Sequence, residues 1–406
     1  MHDFNRTLGP STYSPDLTIS FLDHLCMALD LTKTQRKTAE DRYATVTQLL
    51  GASGSALSDY SPHLHVQGSF LHKTMVKPMA GVEFDVDLIC ILYGTRPLGA
   101  KEMFRMVVAA LKGRYPELVV KDRCCRIDYA GEFHMDIIPA CPEFGGEPSR
   151  ILIPDRRLEL LLPSCPKLYA AWFEEAALLM PIFITSLSAT TAFNAKSAAV
   201  IEPLPDYDGM IQEPLRRFVQ ILKASRNHFY QRRLVQIPSS IVITTLAAHA
   251  YKRAVTSGPF ESMLHVFRAV AADLHNSIGT TRDSQGRIQL DLKNPRDPRE
   301  NFLDGWKHDE KSYLAFFEWQ REVVLFIDKM MSLEIGNEGI DGAKKRLAGT
   351  FGDSAATAAI RGVAGGRREE VVIGRGGFLP NGILVPASHI GARTTPKHTF
   401  DGRPAL

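Results

Sequence analysis

The chain has 406 residues, of which 45% are hydrophobic and 23% are charged, and its formal net charge is +3. This length predicts two or three domains, and the composition is ordinary for a globular protein. A charge so close to balance gives no support to a large nucleic-acid-binding face. The sequence has no apolar run of the roughly 18 residues that a membrane span needs, and no signal-peptide pattern. We therefore expect a cytoplasmic protein without a membrane segment.

The cysteines favour neither a disulfide framework nor a zinc ribbon. They form no CxxC pair and have no regular spacing. Because free cysteine is often an interior residue, we predict reduced and mostly buried thiols at all six positions: Cys26, Cys90, Cys124, Cys125, Cys141 and Cys165.

The first part of the chain combines helices with a strand-rich core. After a polar arm over residues 1–13, apolar residues at helical spacing predict two helices between Pro15 and Leu50. A first strand is predicted over His63–Gln67, followed by a turn at Gly68–Ser69. Strand patterns continue as far as Pro139, and the last two form a hairpin around residues 130–131. We therefore expect an N-terminal helical brace beside a β-rich core.

The second part of the chain is helical. The Gly/Pro-rich stretch Pro142–Pro154 marks a domain boundary, and helical patterns dominate from there to about residue 333. Closely spaced glycines after residue 340 predict a mostly mobile segment. The fold class is thus predicted as α+β, with a ligand cleft between core and helical domain. The predicted regions are a core with N-terminal helices over 1–150, a helical domain over 151–338 and a Gly-rich flexible tail over 339–406.

Three aspartates occupy strand positions that are otherwise apolar. Asp85 and Asp87 alternate with apolar residues, so both carboxylates project to the same face of the strand. Asp136 lies in a later strand, where it could face the first two. Neighbouring carboxylates repel each other unless a cation lies between them, and an unpaired buried carboxylate costs several kcal/mol. The pattern therefore favours a site for a pair of Mg²⁺ ions.

The turn at Gln67, Gly68 and Ser69 favours triphosphate binding. Glycine lets the backbone approach a phosphate closely, and a serine at a helix start offers its hydroxyl and backbone N–H groups. Such turns are also common without any ligand. The two aspartates that follow this turn, Asp85 and Asp87, favour the interpretation as a phosphate-binding turn.

A predicted helix contributes a candidate for the opposite wall of the site. Lys223 lies at the edge of the apolar face of this helix and could reach across the cleft to a triphosphate; the alternative is an ordinary lysine with its stem packed on the surface. Ser239 and Ser240 follow Pro238 at the next helix start. They can cap that helix, and a phosphate contact is compatible with capping.

Two other features leave alternatives open. His134 is either a proton carrier or a structural histidine. The segment Asn294–Phe302 contains two X-Pro steps, which predict an ordered turn and not a helix.

Seven segments together resemble, in the same order, the cGAS/DncV-like nucleotidyltransferases, the bacterial cyclic oligonucleotide synthases of CBASS anti-phage defence. The resemblance covers about residues 17–333 and leaves out the Gly-rich tail. It implies an α+β fold with a polymerase-β-like nucleotidyltransferase core, an N-terminal helical brace and a C-terminal helical (OAS-like) domain. The segments are QGSFLHKT, EFDVDL, FHMDIIPA, PSCPKLYAAWFEEA, LKASRNHFY, PSSIVITTLAA and NPRDPRENFLDGW.

The resemblance also implies an activity. It points to a synthase that makes a cyclic di- or trinucleotide from nucleoside triphosphates with two Mg²⁺ ions, for which Mn²⁺ could substitute, and releases pyrophosphate. The implied site residues are Asp85, Asp87 and Asp136 for metal binding and catalysis, and Gln67, Gly68, Ser69, Lys223, Ser239 and Ser240 for the nucleotide.

Partners and base preference follow from the same resemblance. The cyclic product would bind a downstream effector, and the C-terminus Arg403–Leu406 leaves conjugation by ubiquitin-transfer-like partner enzymes as an open hypothesis. Because the chain lacks the zinc-binding insertion of the animal DNA sensor and is nearly neutral, we expect no nucleic-acid activator. Base choice is expected to depend on side chains near Ser164, Lys167, Tyr169 and the turn at Asn294–Asn301.

Two alternatives remain at this point. The first is another polymerase-β-superfamily nucleotidyltransferase that acts on RNA ends, a protein or a small molecule; an RNA-end enzyme should show a basic track. The second is a non-catalytic nucleotide-binding regulator, which predicts the loss of at least one of the three acids. Asp85, Asp87 and Asp136 are all present.

Overall fold

The structure, a computed structural model, describes most of the chain in two compact units. One unit comprises Met1–Ala28 and Leu325–Leu406, and the other comprises Leu29–Val324. The predicted polar arm over residues 1–13 and the terminus Arg403–Leu406 lie outside the described residues. Within the described residues, no helix is long and apolar enough to cross a membrane. The described ranges are 15–52, 54–77, 84–94, 98–129, 131–157, 159–184, 213–231, 233–306, 308–332, 335–372, 376–378 and 384–386.

A seven-stranded sheet forms the centre of the unit Leu29–Val324. Five strands follow the order β1-β2-β5-β4-β3, while β6 pairs with the far end of β5 and with β7. Strands β2 and β5 are parallel, and the other pairs are antiparallel. The strands are β1 (His63–Gln67), β2 (Phe84–Ile91), β3 (Val119–Val120), β4 (Cys125–Tyr129), β5 (Phe133–Pro142), β6 (Ile151–Asp155) and β7 (Leu160–Ser164).

Helices precede, cross and follow this sheet, and small hairpins complete the fold. The α+β prediction is confirmed. The helices are α1 (Pro15–Leu29), α2 (Lys33–Leu50), α3 (Gly68–Leu71), α4 (Ala100–Lys112), α5 (Pro166–Ala177), α6 (Pro214–Tyr230), α7 (Ser240–Ser257), α8 (Met263–Asp273), α9 (Glu310–Met331), α10 (Ile335–Phe351) and α11 (Asp353–Val372). The hairpins pair β8 (Gly279–Arg282) with β9 (Ile288–Asp291), β10 (Lys293–Asn294) with β11 (Asp297–Asn301), and β12 (Gly376–Phe378) with β13 (Leu384–Pro386).

The two faces of the sheet are buried to different extents. Phe84, Val86 and Leu88 on β2 join a large core to which α2 and α4 contribute. The opposite face of the same strand carries the predicted acids, followed by a small apolar cluster that includes Ile89 and Ile91. This alternation buries one face completely and leaves polar residues at one end of the other.

The cysteine prediction is confirmed, because all six cysteines are buried. The Gly-rich segment differs from the sequence expectation. In place of mostly mobile chain, the structure has the helices α10 and α11 between residues 335 and 372. The segment contains many alanines, and Ala343, Leu347 and Ala356 are fully buried. Small residues with high helix propensity allow close packing there, so the glycine content alone was misleading.

The predicted turn at Asn294–Phe302 is ordered, since it forms the hairpin of β10 and β11. Asp297, the first residue of β11, has a fully buried side chain. The carboxylate accepts hydrogen bonds from Arg150 Nη1 at 2.8 Å and from Arg299 Nε and Nη2 at 2.9 and 2.7 Å. The Arg299 guanidinium, bonded to this group, lowers the pKa of the Asp297 carboxyl. A buried ion pair thus ties the hairpin to the loop before β6.

We predict that Asp297→Ala destabilises the fold by about 2 kcal/mol or more, since hydrogen bonds to charged groups contribute ~1.5–3 kcal/mol. Urea unfolding at neutral pH measures this change. Asp41→Ala is the control, because Asp41 pairs with Lys37 on the exposed surface of α2 and such pairs contribute little. Equal stability of the two variants would contradict the structural role of Asp297.

Candidate active site

The register of the sheet brings the three predicted aspartates together. Asp87 on β2 and Asp136 on β5 are direct neighbours across the parallel pair, and Asp85 lies two residues before Asp87 on the same face. The Asp136 residue is 9% exposed, whereas the Asp85 side chain is 55% exposed. The acids therefore extend from the sheet surface into its interior.

An arginine that the sequence analysis missed connects two of these acids. Arg126 Nε donates to Asp136 Oδ1 at 2.7 Å, and Arg126 Nη2 donates to Asp136 Oδ2 at 2.7 Å and to Asp85 Oδ1 at 2.8 Å. The antiparallel register of β4 and β5 places Arg126 directly beside Asp136. Lys121 Nζ lies 3.9 Å from Asp136 Oδ2. The acids thus have positive charges on one side.

The surroundings of Asp87 disfavour the ionised form of its carboxyl group. Burial, and then the negative charges of Asp136 and Asp85, raise the pKa of the Asp87 carboxyl to about 7. The positive charges of Lys223 and Arg126 act in the opposite direction. A cation bound next to Asp87 would therefore stabilise its ionised form.

The Gly68 turn lies directly against this acid. Gly68 begins the four-residue helix α3 with φ of +62°, and Gln67 pairs with Asp87 across β1 and β2. A Cβ atom on residue 68 would lie 2.5 Å from Asp87 Oδ2. Both the backbone conformation and the space therefore require glycine at this position. The structure thus joins the predicted phosphate turn to the predicted metal acids.

Lys223 reaches the far end of the same turn. The lysine is buried on α6, and its Nζ donates to Thr74 O at 3.1 Å and to Thr74 Oγ1 at 2.9 Å. The Thr74 N–H in turn donates to Ser69 O at 3.0 Å. Burial, and then the charge of Arg226, lower the pKa of Lys223 to about 7. Lys223 therefore braces the turn from the helical side.

Ser239 is the N-cap residue of α7, and Ser240 is the first residue of that helix. Both residues are exposed at the start of α7. In the part of the chain that the structure describes, neither hydroxyl is hydrogen-bonded to the Gly68 turn or to the acids. Arg226 Nη1 donates to Pro238 O at 2.7 Å, and this bond ties the helix α6 to the start of α7. The two serines thus remain candidates by position only.

The residues expected to influence base choice also have defined places. Ser164 Oγ and Asn294 Nδ2 donate to the two oxygens of Glu300, at 3.3 and 2.6 Å. Burial raises the pKa of the Glu300 carboxyl, against the effect of these bonds. Tyr169 is buried and its hydroxyl lies 2.9 Å from Thr245 Oγ1, whereas Lys167 is exposed. The Tyr169 hydroxyl thus links α5 to α7.

His134 lies beside the acids. Its Nδ1 is 3.7 Å from Asp85 Oδ1, and its Nε2 is 3.4 Å from Asp128 Oδ1. The histidine is placed between two exposed carboxylates, and this geometry is compatible with both interpretations of the sequence.

The chemistry of the three carboxylates fits Mg²⁺, which prefers oxygen ligands and relieves repulsion between acids. The acids do not form a closed cage: across the described ranges, no group of three or more His, Cys, Asp or Glu side chains is arranged to hold a metal ion. The Arg126 guanidinium is the cation that now bridges Asp85 and Asp136. The site therefore attracts cations. In this structure the Arg126 guanidinium occupies the carboxylate oxygens of Asp85 and Asp136 that face it.

We predict that Gly68→Ala destabilises the protein more than Gly286→Ala does, as measured by urea unfolding. Both glycines have positive φ, but nothing lies within 4 Å of a Cβ at residue 286. The control should lose only the backbone term of about 1–2 kcal/mol, and Gly68→Ala should lose about 1–3 kcal/mol more through overpacking against Asp87. Equal losses would mean that the contact with Asp87 relaxes freely.

We further predict that Asp87→Asn stabilises the metal-free protein at pH 7.5 more than at pH 5. An aspartate with a folded-state pKa of about 7, above its unfolded value near 4, weakens the fold progressively as pH rises between these values. Thermal unfolding at both pH values tests this expectation. Asp41→Asn, a change at an exposed carboxyl on α2, is the control. A lower unfolding temperature of Asp87→Asn at pH 7.5 would contradict the electrostatic account.

Known proteins resemble this chain over much of its length. Residues 18–176 match the family model described as Second Messenger Oligonucleotide or Dinucleotide Synthetase domain. The chain is 28% identical over 311 residues to a c-di-GMP synthase of Roseivirga ehrenbergii, covering 74% of this chain and 78% of the relative. It is 24% identical over 394 residues to the cyclic dinucleotide synthase CdnG of Bradyrhizobium diazoefficiens, covering 92% and 90%.

A solved structure shows the same fold. The structure of Bradyrhizobium diazoefficiens CdnG in complex with GTP superposes with a TM-score of 0.64 at 21% identity, covering 85% of this chain and 99% of that chain. The predicted polymerase-β-like fold is thereby confirmed. The matched domain includes the Gly68 turn and all three aspartates. The chain therefore carries a Second Messenger Oligonucleotide or Dinucleotide Synthetase domain over residues 18–176.

Proposed function

We propose that this enzyme is a cyclic dinucleotide synthase that joins two nucleoside triphosphates into a ring. The observation that carries the proposal is the contact between the Gly68 turn and Asp87, with Asp136 on the adjacent strand. A triphosphate on this turn would have its reacting phosphate beside the acids. Each of two transfers forms one phosphodiester bond and releases one pyrophosphate, and the second transfer closes the ring.

The three acids have complementary positions for this reaction. Asp85 and Asp87 share strand β2 and would hold the cations that accompany the triphosphate. Asp136 lies beside Asp87 on the adjacent strand β5 and would orient the acceptor hydroxyl. Two Mg²⁺ ions, with Mn²⁺ as a substitute, would supply charge neutralisation and a lowered pKa of the acceptor 3′-hydroxyl.

The remaining residues shape the triphosphate site. The absence of a side chain on Gly68 lets the turn lie directly against Asp87, and Gln67 and Ser69 flank Gly68 in the chain. Lys223 supports the turn through Thr74 and adds a buried donor near its end. Ser239 and Ser240 would contact the triphosphate from the start of α7, where both are exposed.

We propose GTP as one of the substrates. One relative is named a c-di-GMP synthase, and the related CdnG structure contains GTP. The nearly balanced charge of the chain favours a small nucleotide over a long nucleic acid as the acceptor.

A biological role in CBASS anti-phage defence belongs to the same proposal. It is supported by the family resemblance and by the relation to cyclic dinucleotide synthases. In such a role the ring product would bind a downstream effector, and accessory proteins of the ubiquitin-transfer type would act on the C-terminus. The reaction would take place in the cytoplasm.

We predict that the protein with Mg²⁺ and NTPs gives a small product that resists phosphatase, detected by chromatography and mass spectrometry. Asp87→Asn should reduce product formation by about 100-fold or more, because altering metal coordination has effects of this size. Asp41→Asn is the control, since Asp41 lies on the exposed surface of α2 and pairs with Lys37.

Three outcomes would reject the proposal. Labelled nucleotide on RNA ends, on protein or on a small molecule, without a ring, would support another nucleotidyltransferase activity. Normal turnover of Asp87→Asn would show that the acids are assigned wrongly. A protein that binds GTP but makes no product with any NTP pair, under activating conditions, would be a regulator.

A further inference from the structure

Arg126 donates hydrogen bonds to both carboxylate oxygens of Asp136 and to one of Asp85. Its Nε and Nη2 atoms form a fork on Asp136 with two bonds of 2.7 Å, and Nη2 also bonds Asp85 at 2.8 Å. Such bidentate pairs are the strongest hydrogen bonds that a carboxylate makes in proteins. These carboxylates also raise the pKa of Arg126. The arginine is therefore bound to the acids in its charged form.

A divalent cation on these acids would meet this guanidinium directly. The proposed metal site consists of Asp85, Asp87 and Asp136, and the arginine holds Asp85 Oδ1 and both oxygens of Asp136. Like charges at this distance repel strongly, because the site is partly buried. The Arg126 side chain is 19% exposed and lies at the edge of the cluster, so it can move toward solvent.

We propose that Arg126 is an exchangeable counterion that holds the acid site closed and must leave Asp136 before a divalent metal binds there. This inference rests on the metal site proposed above. The guanidinium neutralises the acids while no metal is bound and sets how much metal is needed to open the site. After release, its five N–H donors suit the phosphate oxygens that arrive with the metal.

The neighbouring cations provide a comparison. Lys121 Nζ lies 3.9 Å from Asp136 Oδ2, beyond hydrogen-bond distance. Arg123, in the same loop, is paired with Asp155 at 3.1 Å. Removing Lys121 deletes a nearby charge without freeing a carboxylate oxygen. Comparing metal affinity after removal of Lys121 and of Arg126 thus separates two effects. One is direct competition between Arg126 and the metal for Asp136, and the other is repulsion of the metal by any nearby positive charge.

The test is Mn²⁺ binding to the metal-free protein, measured by the EPR signal of free Mn²⁺. Arg126→Met should lower the Mn²⁺ dissociation constant by about fivefold or more, since coupled sites usually change affinity by ~5–150-fold. Lys121→Met should have a smaller effect, and raising the salt concentration should suppress it, because screening weakens interactions between separated charges. An effect of Arg126→Met no larger than that of Lys121→Met would overturn the proposal.

A second measurement uses the unsubstituted protein and does not depend on the folding of a variant. Phenylglyoxal labels accessible guanidinium groups, and peptide mass spectrometry reports each site. Mg²⁺ should speed labelling of Arg126 and leave labelling of Arg123 unchanged. Unchanged or slower labelling of Arg126 at saturating metal would contradict release.

The two proposals fail in different ways. If Mn²⁺ binding to the unsubstituted protein is absent, or is unaffected by Asp87→Asn, the metal site itself is wrong and the counterion role falls with it. If Mn²⁺ binds in an Asp87-dependent manner but Arg126→Met does not tighten it, only the counterion role is wrong.

Discussion

Repulsion among three carboxylates on two adjacent strands is the constraint on which this site depends. The register of β2 and β5 makes Asp87 and Asp136 neighbours, and Asp85 adds a third negative charge on the same face. The sheet cannot relax this proximity without breaking its ladder, so positive charge must come from elsewhere. Arg126 supplies part of it now. Burial, together with the charges of Asp136 and Asp85, still raises the pKa of the Asp87 carboxyl.

The surrounding elements keep this cluster accessible and rigid. Gly68 places a backbone turn against Asp87 where any side chain would collide, and Thr74 links the end of that turn to Lys223 on α6. The turn that approaches the acids is therefore held by both the sheet and a helix. Such preorganisation suits a reaction whose catalysis depends mainly on positioning and electrostatics.

Much of this site could be predicted from local patterns, because alternation along a strand fixes which residues share a face. Asp85 and Asp87 follow from that rule, and Asp136 follows from the predicted hairpin. A hairpin centred on residues 130–131 also pairs Arg126 with Asp136, so the contact between these two residues could have been predicted from the sequence. The bond from Lys223 to Thr74 joins residues far apart in sequence and has no local signature. Small-residue packing in α10 and α11 was hidden by the glycine content.

Anomalous diffraction from crystals grown with Mn²⁺ and a non-hydrolysable GTP analogue would show where the metal and the triphosphate bind. We expect manganese peaks bounded by Asp85, Asp87 and Asp136, with the triphosphate on the Gly68 turn. A triphosphate bound on this turn with manganese elsewhere, or a nucleotide bound away from the three acids, would contradict this expectation.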